Sequence, residues 1–101
     1  MDYIKAIKEY KTYNEQEEVD KQLILDFIKN NSNHLFRENL TAHLTSSAIV
    51  VNPNLTKVLF AYHNIYDSWG WVGGHNDGDP DMLKVAIKET KEETGISDVT
   101  P

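Results

Sequence analysis

The chain contains no cysteine, only three prolines and five glycines, and ten basic residues against sixteen acidic ones. Without cysteine there is no disulfide, no thiol nucleophile and no Cys-based zinc or iron-sulfur site, so stability must come from packing. A formal charge of −6 repels polyphosphate backbones and argues against broad nucleic-acid binding. The longest unbroken apolar run is VLFAY at residues 58–62, far short of the roughly 20 residues that cross a bilayer. The opening MDYIKAIKEYK carries charges in every turn and no apolar stretch of the secretory kind, and the expected compartment is the cytoplasm. What is present is ordinary: 40% hydrophobic and 26% charged residues describe a chain that folds. Its 101 residues suffice for one small core.

Residues 3–13 place Tyr3, Ile4, Ile7, Tyr10 and Tyr13 mostly three and four apart, which predicts a short amphipathic helix. Asn14 followed by Glu17 reads as a helix cap, after which Val19, Leu23, Ile24, Phe27 and Ile28 line one helical face. The run Asn30, Asn31, Ser32, Asn33 should end that helix, since these side chains compete for backbone hydrogen bonds. Residues 1–40 thus form an N-terminal helical segment, and 41–101 form a second part of α+β character. There, HLTSSAIVV at 43–51, the turn signal Asn52-Pro53-Asn54 and KVLFAYH at 57–63 predict a hairpin with a loop of four or five residues. A third strand fits 69–73, with Trp69 and Trp71 on one face; both are expected to pack rather than to stack a base. After the loop GGHNDGDPD comes a final helix over 80–94, with Asp79 as its cap, Pro80 at its first position, and Gly95 just past its end.

That helix carries Glu89, Glu92 and Glu93 at i, i+3 and i+4, three carboxylates on one face within one turn. They lie near the C-terminal end, where the helix dipole disfavours negative charge by a few tenths to about 1 kcal/mol each. Glu15, Glu17, Glu18 and Asp20 open the second helix, where the dipole favours them, and need no further account. Clustered acids in the unfavourable place suit a hard cation, Mg²⁺ or Mn²⁺. From the helix alone, pairing with Lys84, Lys88 and Lys91 on an ordinary charged surface is the simpler account.

The segment GGHNDGDPDMLKVAIKETKEETGI at 73–96 changes that balance, because it resembles the Nudix hydrolase signature, GX5EX7REUXEEXGU with U aliphatic. Over 74–96, Gly74 falls on the opening glycine, Lys88-Glu89 on the arginine-glutamate pair, Glu92-Glu93 on the double glutamate and Gly95-Ile96 on the closing pair. Pro80 stands in place of the first glutamate, Lys88 of the arginine and Thr90 of the aliphatic residue. The resemblance implies a Nudix-type α/β/α sandwich with a mixed β-sheet, here ending after the box helix. The remaining strands would lie outside the chain or come from another one, as in a homodimer. It implies divalent-metal-dependent hydrolysis of a diphosphate linkage in a nucleoside diphosphate derivative, by water attack at phosphorus. Glu92 and Glu93 are then metal ligands, Glu89 a ligand or the base that orients the water, and the Gly73 carbonyl a further ligand. Arg37 could clamp a phosphate and His75 could assist, though a solvated arginine and a structural loop histidine are the plainer readings. The alternatives are a nucleotide-binding or protein-interaction module on the same scaffold, without turnover, and an isomerase of diphosphate substrates.

Overall fold

A computed structural model describes residues 2–101. It is a small α+β fold of three helices and short antiparallel strands. Helix α1 (Tyr3–Glu9) begins at Asp2, whose carboxylate accepts from the amides of Ile4 and Lys5 at 3.1 and 3.2 Å. It stops four residues short of the periodic pattern. The reason lies in the next helix: Lys21 donates to the carbonyls of Lys8 and Tyr10, both at 2.9 Å, taking acceptors that a longer α1 would have used internally. Helix α2 (Glu15–Asn30) starts as expected, with Asn14 Oδ1 accepting from the Glu17 amide at 2.9 Å. Glu17 turns back to the amide of Tyr13 at 3.0 Å and to the Tyr10 hydroxyl at 2.8 Å. The asparagines that follow shape the connection. Asn39, nearly buried, donates to the side chains of Asn31 and Asn33 and accepts from the amides of Thr41 and Ala42.

Six strands follow: β1 (Thr45–Ala48), β2 (Val50–Val51), β3 (Val58–Leu59), β4 (Ala61–His63), β5 (Ser68–Gly70) and β6 (Val72–His75). They pair as β1 with β6, β2 with β3 and β4 with β5, all antiparallel. The expected mixed sheet is therefore replaced, among the described residues, by three antiparallel ladders. Parallel neighbours need a long crossover, and the only helix after β1, α3 (Met82–Thr94), follows the last of these strands. The long strand predicted over 43–51 is broken at the exposed Ile49, and the returning strand at Phe60. The hairpin loop itself agrees with the four-residue alternative. Asn52 N–H donates to the Lys57 carbonyl at 3.2 Å, leaving residues 53–56 between them, and Asn52 Oδ1 accepts from the amides of Thr56 and Lys57.

Trp69 and Trp71 correct the sequence reading: they are 69% and 59% exposed rather than packed. Trp69 stands opposite Tyr62 in the β4–β5 ladder, edge to face with ring centroids 5.4 Å apart. Helix α3 packs chiefly on β1 and β6 and reaches this ladder only at its margin, through Glu93. The core is correspondingly small. Val72 and Thr90 are fully buried, with Val85, Leu35 and Ile28 close behind. Thr90, which stands where the family signature has an aliphatic residue, hides its hydroxyl by donating to the Ala86 carbonyl one turn back, at 2.8 Å. No helix among the described residues is long and apolar enough to cross a membrane.

Candidate functional site

The strand β6 and the helix α3 bring the glycine loop and the glutamates together. Ser46 and Ser47 on β1 lie opposite Gly74 and Gly73. A Cβ on Gly73 would come within 2.6 Å of Ser47 Oγ and 2.8 Å of the Ser46 carbonyl oxygen, so the two strands can approach this closely only at glycine. The same holds at Gly74 for a different neighbour: a Cβ there would sit 2.4 Å from Glu89 Cδ and 2.6 and 2.8 Å from its carboxylate oxygens. The Glu89 carboxylate thus rests on the bare Cα of Gly74.

The turn from β6 into α3 is tied down at three points. Asn76, 4% exposed, accepts from the Ser46 hydroxyl at 2.8 Å and donates to the Asp79 carbonyl at 2.7 Å. Gly78 has φ +89° and lies under the Phe36 ring, 2.5 Å from where a Cβ would be, so it must be glycine on two counts. Arg37 forks onto Asp77, Nε to Oδ1 at 2.9 Å and Nη2 to Oδ2 at 2.8 Å. That hydrogen-bonded pairing holds the Asp77 carboxyl below its ordinary value and raises the Arg37 guanidinium. Arg37 accordingly spends its fork within the chain, on the loop beside the glycines, rather than presenting it to a phosphate.

The helix start differs from the expected one by two residues. Asp81, not Asp79, is the cap, accepting from the Lys84 amide at 3.1 Å. Asp79 instead accepts from the Asp81 amide at 2.9 Å and pairs with Lys84 at 2.7 Å, contacts that lower its carboxyl. Pro80 lies between two competing aspartates, and its missing N–H falls outside the helix rather than at its first position. The far end is as expected: Gly95 adopts φ +74° and donates to the Lys91 carbonyl at 2.9 Å.

The three glutamates differ in their surroundings. Glu92 lies 4.0 Å from Lys88, a loose exposed pair. Glu89 is half-buried over Gly74, and Glu93 faces the turn between β4 and β5; among the described residues neither has a cationic side chain within 4.0 Å. Surface pairing with the lysines therefore accounts for Glu92 alone. Nor are the carboxylates already drawn together: among the described residues no three His, Asp or Glu side chains form a group that could hold an ion. Each of the three glutamates offers carboxylate oxygen, the donor that hard cations prefer, and the bare Cα of Gly74 admits Glu89 to the strand.

His75, at the end of β6, stacks on His43 with ring centroids 5.1 Å apart and planes at 30°. This partner was not legible, since 32 residues separate the two and no spacing rule joins them. Sequence reasoning also missed His63 and Tyr66, which with Glu93 line a cleft of about 360 Å³. Compared with protein-family models and with curated proteins, the chain finds no match.

Proposed function

We propose that this chain is a divalent-cation-dependent hydrolase of the Nudix type, cleaving the diphosphate linkage of a nucleoside diphosphate derivative. The observation that carries the reading is the Glu89 carboxylate seated on Gly74 without a cationic partner, one turn from Glu93, which is likewise unpaired among the described residues. Glu93 lies in the last turn of α3, where the helix dipole disfavours negative charge, and Glu89 is half-buried without a counter-charge; a bound ion reverses both. In this reading β1, β6 and α3 form part of an α/β/α sandwich, Glu92, Glu93 and the Gly73 carbonyl would hold Mg²⁺ or Mn²⁺, and Glu89 beside them would serve as the base. The ion would polarise the phosphoryl oxygens and make water a better nucleophile.

The chain's own residues position the reactants. Water attacks phosphorus, a new P–O bond forms, the bridging P–O bond breaks, and Glu89 takes the proton that the water releases. Gly74 leaves the space that this carboxylate occupies free of a side chain. Arg37, engaged by Asp77, steadies the loop.

The experiment is metal-dependent phosphate release from a panel of nucleoside diphosphate derivatives, for the wild type and for Glu93→Gln. Turnover that requires Mg²⁺ and disappears in the variant, with the fold retained by circular dichroism, is the expected result. Equal turnover in the variant removes Glu93 from the mechanism. The ungathered carboxylates favour one competing reading, a module that binds nucleotide without hydrolysis; binding without product across the whole panel would establish it.

A further inference from the structure

We infer that the cleft between the β4–β5 turn and Glu93 seats the aromatic ring of the substrate, a nucleobase, an inference that rests on the diphosphate reading above. The cleft encloses about 360 Å³, the small end of the range of roughly 300–1,000 Å³ typical of ligand sites. That is room for one ring system. Its walls include Tyr62, His63, Asn64, Ile65 and Tyr66 from the hairpin and Glu93 from α3, with no lysine or arginine among its lining residues. Apart from Glu93, which borders the proposed ion, the lining is aromatic, aliphatic, imidazole and amide with no cationic side chain of its own, so it suits the uncharged end of the substrate.

The turn itself points to a ligand. It runs Asn64-Ile65-Tyr66-Asp67, and its central positions, which favour Gly, Asn, Asp, Pro or Ser, hold Ile65 at 93% and Tyr66 at 78% exposure. Neither residue gains burial from the fold. Tyr66 makes a T-shaped contact with His63, centroids 6.4 Å apart and planes at 66°, and at 78% exposure keeps a face of its ring open for stacking. His63 is fixed in turn: its Nε2 lies 2.9 Å from the Trp71 carbonyl oxygen, which can only accept, so Nε2 carries the proton and donates. The Asn64 amide offers both a donor and an acceptor to the edge of a base. Glu93 is the wall shared with the carboxylate face of α3, so a ring seated here leaves its diphosphate directed at that face.

Saturation-transfer NMR with adenosine and cytidine, without phosphate or metal, tests the cleft separately from turnover. Base protons should receive more saturation than ribose protons. Tyr66→Ala should weaken nucleoside binding about fivefold or more, the effect of losing one stacking partner, and Tyr66→Phe should retain it. Both substitutions fall on an exposed turn residue that the fold does not need. Nucleoside binding equal in wild type and Tyr66→Ala, or none at all, overturns the ring site whatever turnover shows. Nucleoside binding of the expected pattern with no Mg²⁺-dependent hydrolysis removes the hydrolase and leaves the ring site standing.

Discussion

Asn76 holds the glycine loop to the first strand through one side chain. Its amide receives the Ser46 hydroxyl proton and returns one to the Asp79 carbonyl, and at 4% exposure no water replaces either bond. Truncation to alanine would leave the buried Ser46 hydroxyl with only the weak acceptor Met82 Sδ at 3.1 Å and take a donor from the half-buried Asp79 carbonyl, at a cost of about 1–3 kcal/mol. Urea denaturation of Asn76→Ala should show that loss; a midpoint within error of the wild type would mean the loop is held by other contacts. The residue reads in sequence as one more turn former in a Gly- and Asp-rich stretch. Its importance comes from a partner 30 positions away, which no local pattern encodes. Leu55 presents the opposite case, a side chain 75% exposed at φ +56° in the β2–β3 turn, where neither burial nor backbone preference explains a leucine. Leu55→Asn should stabilise the chain by about 0.5–1 kcal/mol, read as a higher Tm, because asparagine tolerates the left-handed region.

At the scale of elements, local chemistry was readable and long-range competition was not. Asn14 caps α2 and Gly95 closes α3 because both act within four residues of themselves. The early end of α1 depends on Lys21, and the choice of Asp81 over Asp79 depends on Lys84 drawing Asp79 away. The β6–α3 connection should therefore be the acid-sensitive part of the fold. Asp77 and Asp79 are both held below the ordinary aspartate value of 3.8 by Arg37 and Lys84 respectively. A lowered carboxyl contributes stability that is complete above its unfolded value and is lost as pH falls through the lowered one. Tm should hold steady from neutrality down to about pH 5 as far as these pairs are concerned, then fall below about pH 4. Lys84, raised by the same contact, should lose its contribution as pH rises above 10.5. Asp77→Asn combined with Asp79→Asn should flatten the acid limb, and added salt should shrink it, since all four side chains reach solvent. An acid limb unchanged in the double variant would place the sensitivity elsewhere.

For the whole molecule, the decisive quantity is surface. A folded chain of 11.6 kDa is expected to expose about 5,800 Å², whereas this one exposes 7713 Å². Its radius of gyration is 15.0 Å against about 13 Å for a compact domain of this length. Composition could not reveal this, because an ordinary share of hydrophobic residues says nothing of how many find cover. Part of the excess lies in a groove of about 830 Å³ between the β2–β3 ladder and α3, walled by Val51, Val58, Leu59, Leu83, Ile87 and Ile96. An apolar groove of that size should take up the dye ANS in the native state, with the near-ultraviolet signal of Trp69 and Trp71 retained to exclude a loosened globule. Val58 is already 52% exposed, so Val58→Lys should lower dye uptake while changing stability by no more than about 0.5 kcal/mol. Dye uptake absent from the wild type would show the groove closed in solution. Uptake unchanged in Val58→Lys would assign the dye to another exposed apolar surface, such as the aromatic face of Tyr62 and Trp69 or the cleft between α1 and α2 lined by Ile7, Tyr10 and Ile24.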